Sequence, residues 1–596
     1  MIKPKYISAS LKSIGRSVSG LPLIILLPAY QGVLQLLVKP LMTFFLQLML
    51  ITSGYQIAFN DSIMGFFTTV QGFTAAFILL SAAVLITYLE FACIILFSKE
   101  YLSGNRIRLT TIIRQAAGSI GSLIHIGLPG FCLYALVLLP LAGLGITPAL
   151  LPQLEIPRFI IGELHKNTWG MPLLNLVSVI LFLIFLATLF VLPAMILERQ
   201  SFGQALFRSF ALLKSCGKEL PDFYASYLLI WALAYSLPEY ILTTQFAAAR
   251  ISLLVLNLIR LFLTPVLLCL TTLYYLKACK KPVLLSSSSA TQNRPFYQWF
   301  QAMIPHPARQ KFRLDRKYRL AAAITAALLA GCSLLTLIRV PQLHSPLVIA
   351  HRGSAYGVEN TFAALDGAIR SGADYAEIDI QLSADRIPVV IHDSNLKRLT
   401  GYDVNVYDLT ADTLGRYTVT QNGMTGTIPT LEQVLRHCEG KIGLAVELKL
   451  HGHEQADLID EVMKVVKNGN YRLPLMFLSL DYDLIAGLKT AYPEYEAGYC
   501  IFGSVGHLSV AIGTSLPFDF IVIEESMVTP EALADFRKSW LPVYVWTVNN
   551  PTDMEAYLNM GVLGLVSDYP DLAIAVREKH LDQTKAVYLD RKEWEE

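Results

Sequence analysis

The sequence predicts an N-terminal α-helical transmembrane bundle of about seven spans, followed by an α/β domain of the (β/α)8 TIM-barrel type. Three observations predict it. The 596 residues are 54% hydrophobic and only 16% charged, too apolar for a wholly soluble chain of this length. Charge divides along the chain: residues 1–344 carry 28 Lys and Arg against 10 Asp and Glu, and residues 345–596 carry 20 against 36. From about residue 346, long apolar runs give way to short β-type runs alternating with amphipathic stretches. The acidic second half argues against nucleic acid as a partner, because that binding needs clustered Lys and Arg. The eight cysteines show no CxxC or Cys/His zinc spacing, so they suggest no thiolate metal site.

In the first half, stretches of about 20 apolar residues, the length that crosses a bilayer, recur near 21–52, 66–97, 119–144, 171–197, 224–244, 251–276 and 318–338. The first is interrupted by Lys39-Pro40 and reads as a tilted or broken helix rather than a cleaved signal peptide. Orientation follows from Lys and Arg in the short connections. The N-terminus (Lys3, Lys5, Lys12, Arg16) and the even-numbered loops are basic, most strongly the one holding Lys280, Lys281, Arg309, Lys311 and Arg313. These segments should be cytoplasmic, which places the acidic half outside the cell after a seventh span. Glu90, Glu239 and Arg260 sit within apolar spans; Glu239 and Arg260 fall at similar depth and read as an ion pair or a polar lining. The expected organisation is a membrane helical domain over 1–285, a basic cytoplasmic linker over 286–317, a final span over 318–340, a barrel over 346–580 and a charged tail over 581–596.

The barrel rests on nine candidate strands: LVIAHRG, YAEIDIQLS, PVVIHD, GLAVELKL, LMFLSL, EAGYCIF, FDFIVIEES, PVYVWTVN and GLVSDYP. Amphipathic stretches such as TFAALDGAIRSG and TLEQVLRHCE lie between several of them. One connection is too short for a parallel return, which needs about a dozen residues. YAEIDIQLS and PVVIHD should therefore form a hairpin with Asp385-Arg386 at its tip. That register sets Asp379 opposite His392, and alternation along the strand puts Glu377 on the same face.

Polar residues collect at strand ends: His351-Arg352, Glu377 and Asp379, His392-Asp393, Glu447 and Lys449, and Trp546. Carboxylates without thiolates suit a hard cation such as Mg²⁺ or Ca²⁺. Two histidines beside it can divide proton acceptance and donation near neutral pH. Arg352 and Lys449 supply positive charge for phosphoryl oxygens. The combination describes metal-assisted phosphodiester cleavage. His451 and His453 are read as a solvated loop rather than a metal pair, and Asp393 as an anchor or orienter of its neighbour.

The ordered motifs HRG with EN shortly after, GADYAEIDIQLSAD, PVVIHDSNLKRLTG, IPTLEQVL, AVELK, VWTVN and SDYP make this half resemble the glycerophosphodiester phosphodiesterases of the phosphatidylinositol-phospholipase-C-like barrel superfamily. With its apolar beginning, the chain resembles their membrane-anchored bacterial form. The resemblance implies one divalent cation, Ca²⁺ or Mg²⁺, held by Glu377, Asp379 and Glu447, with His351 and His392 as the acid–base pair. It further implies that Arg352, Glu359 and Asn360 help bind the phosphate–metal centre, and that Lys449 and Trp546 line the pocket. The expected substrate is a glycerophosphodiester, from a deacylated phospholipid or a glycerol-phosphate polymer, beside a lipid bilayer. His351 is assigned as proton acceptor and His392 as donor. Two other readings are a phospholipase acting on intact lipid headgroups, and a transporter or scaffold to which the barrel is accessory.

Overall fold

The computed structural model describes residues 34–55, 60, 62–103, 108–123, 128–134, 164, 169–215, 220–232, 249–279, 345–452, 457–502 and 516–592. The chain divides into two compact units, one of residues 1–44, 75–156 and 161–337, the other of residues 45–74, 157–160 and 338–596.

In the first unit, helices pack around a core that includes Tyr88, Phe91, Phe131, Phe190, Phe223 and Tyr275. Among the described residues, two helices are long and apolar enough to cross a membrane, Val70–Leu102 and Gly170–Leu197, and Leu263–Ala278 is a shorter apolar helix. Gly170–Thr188 exposes Leu173, Leu176, Ile180, Leu183 and Ile184, an apolar face suited to lipid. About seven spans were expected, so the described residues bear out two. The stretch 318–338 lies outside them, as do parts of 21–52, 119–144 and 224–244. Glu90 is buried in its helix. Glu239 and the linker 286–317 lie outside the described residues, as does the side chain of Arg260, so the structure does not describe the expected Glu239–Arg260 pair.

The second unit holds eight parallel strands in a closed ring. These are β1 (Leu347–Ala350), β2 (Tyr375–Leu382), β6 (Gly443–Leu448), β7 (Leu475–Ser479), β8 (Glu496–Ile501), β9 (Phe520–Glu524), β10 (Val543–Trp546) and β11 (Gly564–Ser567). Each strand pairs with the next, and β1 closes the ring by pairing with both β11 and β2. Inward side chains, including Ile349, Ala445, Met476, Cys500, Phe520, Val522, Tyr544 and Val566, fill the barrel. Their outward neighbours, such as Val348, Ile378, Val446, Phe477 and Ile521, pack in a second core with the helices. Burial on both faces explains the near-continuous Val/Ile/Leu runs of these strands.

The ninth candidate strand is β3 (Pro388–Val390), antiparallel to β2 as expected of the hairpin. The expected register is corrected by one residue. Ile380 pairs with Val390, and Ile391, not His392, donates its N–H to Asp379 O at 2.9 Å. The physical reason is a three-residue turn, Ala384 to Arg386, in place of a two-residue tip, with Arg386 at φ +63° and Ser383 N–H bonded to Ile387 O. A second hairpin, β4 (Thr418–Gln421) and β5 (Met424–Thr427), turns through Asn422-Gly423, both at positive φ. With β3 it belongs to a small satellite core that includes Val389, Leu396, Val406, Leu414, Val419 and Ile428. The expected boundary at 580/581 falls inside one helix, Pro570–Lys592.

Helix Leu431–Cys438 shows how sequence sets an element. Thr430 and Gln433 form a reciprocal capping box, and Leu431, Val434, Leu435 and Cys438 form its buried stripe. Thr430→Ala should cost about 1 kcal/mol and Leu435→Ala about 3 kcal/mol. Denaturant midpoints of the two variants check this order, and equal losses would mean that the stripe does not seat the helix.

Candidate active site

The polar side chains gather at the C-terminal ends of the strands, where barrels of this class keep their chemistry. β2 contributes Glu377 and Asp379, and the parallel register sets Asp379 beside Glu447 on β6. The ligand oxygens of Glu377, Asp379 and Glu447 lie within 4.8 Å of one another. Burial raises the Glu377 carboxyl well above its ordinary range, and the neighbouring charges of Asp379 and Glu447 raise it further. Its Oε2 accepts the Arg352 N–H at 2.7 Å, while its Oε1 is buried with no hydrogen-bond partner. Burial also opposes the Asp379 charge, but Lys449, His392 and Arg352 outweigh it and hold that carboxyl low.

Lys449 sits just after β6 and bridges two of the carboxylates, with Nζ 3.1 Å from Asp379 Oδ1 and 2.9 Å from Glu447 Oε1. Asn360 brackets Asp379, donating Nδ2–H to Oδ2 at 2.7 Å and accepting the Asp379 backbone N–H at 3.1 Å. Arg352 follows β1 at φ +50° and is succeeded by Gly353 at φ +91°. A Cβ on Gly353 would lie 2.7 Å from that of Ala364, so the HRG turn requires glycine.

Glu359 touches neither Glu377 nor Asp379; it holds arginines. Its two oxygens accept from Arg352 Nη1 at 3.0 Å, from Arg398 Nη1 and Nη2 at 2.9 and 2.5 Å, and from Gln421 Nε2 at 2.8 Å. Burial works against that charge, but the Arg398 hydrogen bonds and the two guanidinium charges bring the carboxyl down to about 2.

The histidines are held in matching ways. His351 Nδ1 lies 2.7 Å from Asp568 Oδ1, and Asn549 donates to the other oxygen at 2.6 Å. His392 Nδ1 lies 2.8 Å from Asp393 Oδ1, and Arg398 Nε donates to the other oxygen at 2.6 Å. Each carboxylate accepts from Nδ1–H, an assignment made from the hydrogen-bond partners, which makes Nε2 the acceptor nitrogen of the neutral ring. Gln381 fixes the backbone at His392 by donating to the carbonyls of Ile391 and His392. Burial lowers the pKa of His392. Trp546, at the end of β10, donates Nε1–H to Val522 O at 3.2 Å beside the interior cluster.

The structure thus gathers Arg352, Asn360, Glu377, Asp379, Glu447 and Lys449 into one contact network, which Glu359 joins through Arg352. It places His351, His392 and Trp546 at the same end of the barrel. His451, expected in a solvated loop, is partly buried with Nε2 3.2 Å from His392 O, and His453 lies outside the described residues. Sequence reasoning missed Asp568, Arg398, Gln421, Gln381 and Asn549. Asp568, Arg398, Gln381 and Asn549 stand inside the motifs SDYP, PVVIHDSNLKRLTG, GADYAEIDIQLSAD and VWTVN, whereas Gln421 stands in none of them.

A closed barrel with buried carboxylates, two carboxylate-held imidazoles and fixed cations at its C-terminal end is the architecture of a phosphoric diester hydrolase. Residues 351–572 match the glycerophosphoryl diester phosphodiesterase family, and residues 7–331 match the membrane domain of glycerophosphoryl diester phosphodiesterase, so the chain belongs to that family of hydrolases. YhdW of Bacillus subtilis is 32% identical over 237 residues, covering 38% of this chain and 96% of that protein. A glycerophosphodiester phosphodiesterase of Caldanaerobacter subterraneus is 30% identical over 244 residues, 39% of this chain and 98% of its own. Human lysophospholipase D GDPD1 is 26% identical over 261 residues, 37% of this chain and 83% of its own.

Asp568→Asn and Asp393→Asn should each lower kcat about 10²-fold, the usual worth of a positioned acid or base, with KM changed less than about threefold. Steady-state kinetics checks this, and a loss confined to KM would assign these carboxylates to binding instead.

Proposed function

We propose that this enzyme hydrolyses glycerophosphodiesters to glycerol phosphate and an alcohol by metal-dependent acid–base catalysis at the outer face of the cell membrane. The observation that carries the reading is the carboxylate trio at the same end of the barrel as two carboxylate-held imidazoles. Clustered hard oxygens, one of them an orphaned buried atom on Glu377, fit a cation. Glu377, Asp379 and Glu447 would hold one divalent cation, Ca²⁺ or Mg²⁺, whose charge polarises the phosphoryl group.

The chain's own residues do the rest. Arg352 and Lys449 face the phosphoryl oxygens and balance their charge. Asn360 keeps Asp379 aligned, and Glu359 with Arg398 keeps Arg352 extended. One imidazole takes the proton of the attacking hydroxyl, either water or the adjacent glycerol hydroxyl, and the other protonates the leaving alcohol. His392, whose pKa burial lowers, suits the acceptor's part at Nε2, and His351 then donates, which exchanges the assignment made from sequence. Trp546 supports the substrate's apolar side.

Orientation with the barrel outside, about seven spans and action on glycerol-phosphate polymers complete the proposal, supported by the loop charges and the membrane-domain match. A second reading, hydrolysis of lipids that keep an acyl chain, is favoured by the join of a membrane domain to the barrel and by the name of the human relative.

Hydrolysis of glycerophosphodiesters should stop on chelation and return with Ca²⁺ or Mg²⁺. Glu377→Gln should lose at least about 10³-fold in kcat; full turnover after exhaustive chelation would defeat the metal assignment. Cleavage of lysophospholipid vesicles but not of soluble diesters would select the second reading. Protease added to intact cells should cut the barrel. A neutral acceptor is lost on protonation, so the acidic limb of kcat/KM should fall below the ordinary histidine value of 6.5, and a bound cation moves it the same way.

A further inference from the structure

One buried carboxylate at the catalytic end has no part in the network above. Glu524 ends β9 and is fully buried. Its Oε2 accepts the Ser526 N–H at 2.8 Å and the Ser526 hydroxyl, while its Oε1 has no hydrogen-bond partner. Phe520 and Val522, four and two residues earlier, point into the barrel, so alternation turns Glu524 inward as well.

Register fixes its height. From Asp379, the pairs run through Glu447, Leu478 and Gly498 to Phe520. On the other half of the ring, Ile523 pairs with Val545, Val545 with Leu565 and Leu565 with Val348, while β1 meets β2 at Ile349–Tyr375, which carries Glu524 to Tyr375. Each half-circuit slips four residues, together the shear of about eight found in such barrels. Glu524 is therefore level with Asp379, and three strands lie between β9 and β2 in either direction, so it stands on the opposite wall. Strands about 4.8 Å apart and tilted about 36° close into a ring roughly 15 Å across. With a side chain from each wall, the gap suits a phosphate, a two-carbon spacer and a terminal group.

That terminal group has a definable chemistry. A buried carboxylate oxygen without a donor is costly, and more so without a positive partner. Residues 502–519 before β9 and 525–529 after it contain no Lys or Arg. Among the described residues, Glu524 forms no ion pair with a cation. Trp546 is its register partner on β10, which adds an aromatic surface.

Building on the phosphodiesterase reading, we propose that Glu524 is the specificity-determining residue for the leaving alcohol, and that it selects an alcohol bearing a primary ammonium group. If Glu524 served only to cap the turn Glu525–Met527, its Oε2 alone would suffice, and Glu524→Gln would not discriminate between alcohols.

The test uses the full-length protein in detergent. Calorimetric titration with ethanolamine should show binding to wild type, weakened about tenfold or more in Glu524→Gln, with glycerol 3-phosphate binding unchanged as a sign of an intact site. In kinetics, the variant should raise KM about tenfold for glycerophosphoethanolamine and less than about twofold for glycerophosphoglycerol. Equal effects on both diesters, or ethanolamine binding that is absent or undiminished in the variant, would overturn the assignment. If wild type cleaves neither diester, the phosphodiesterase reading falls, and the ethanolamine titration still decides the role of Glu524.

Discussion

Mutual repulsion among Glu377, Asp379 and Glu447 is the constraint on which the rest of the barrel's catalytic end depends. Three carboxylates whose ligand oxygens lie within 4.8 Å of one another, two of them buried, cannot all keep their charge without compensation. The chain supplies part of it through Lys449, Arg352 and Asn360. What remains is concentrated on Glu377, whose carboxyl is the one pushed up and whose Oε1 is left unpartnered. The deficit has the sign and the donor type of a hard cation site. Arg352 is itself a buried charge, and it in turn requires Glu359, which requires Arg398 and Gln421.

Arg398 ties that chain of compensation to His392. Its Nη atoms hold Glu359 and its Nε holds Asp393, which fixes His392. The imidazole near the cation cradle and the arginine within it are thus set by one guanidinium, whose planar fork presents donors along two edges. His351 reaches the site independently, through Asp568 at the end of β11 and Asn549 shortly after β10. Burial of Asp568 opposes its charge, but the charge and hydrogen bond of His351 bring its carboxyl down to about 2. The two imidazoles therefore share a design but not a support.

How much of this was legible in the sequence follows from the range of each interaction. The eight barrel strands were readable because parallel strands buried on both faces leave unmistakable apolar runs. Glu377 and Asp379 were readable because alternation within one strand is local. The hairpin was inferred from loop length, but its register was not, since Arg386 takes a left-handed conformation that nothing in its identity announces. The β4–β5 hairpin carried an audible Asn422-Gly423 turn signal that went unread because its strands are half exposed and weakly apolar. Gln421, which grips Glu359, came with it. Asp568 and Arg398 stood inside recognised motifs, yet their partners lie 217 and 39 residues away, and no rule of local spacing spans such distances.

Backbone strain explains why Arg352 and Asn360 stay where they are. Arg352 and Asn360 both hold positive φ, at +50° and +61°, each costing about 1–3 kcal/mol in a non-glycine residue. Both are held by bonds they make only in that conformation. Arg352 N–H reaches Glu377 Oε2, Asn360 N–H reaches Arg352 O at 2.9 Å, and the Asn360 amide grips Asp379 from two sides. Relaxing either residue would leave a buried carboxylate short of a donor, a larger cost than the strain relieved. The loop from His351 to Asn360 is therefore locked by the same carboxylates it serves. The Arg352 guanidinium is held in position by the chain's own carboxylates, so a ligand that meets it need not use binding energy to order it.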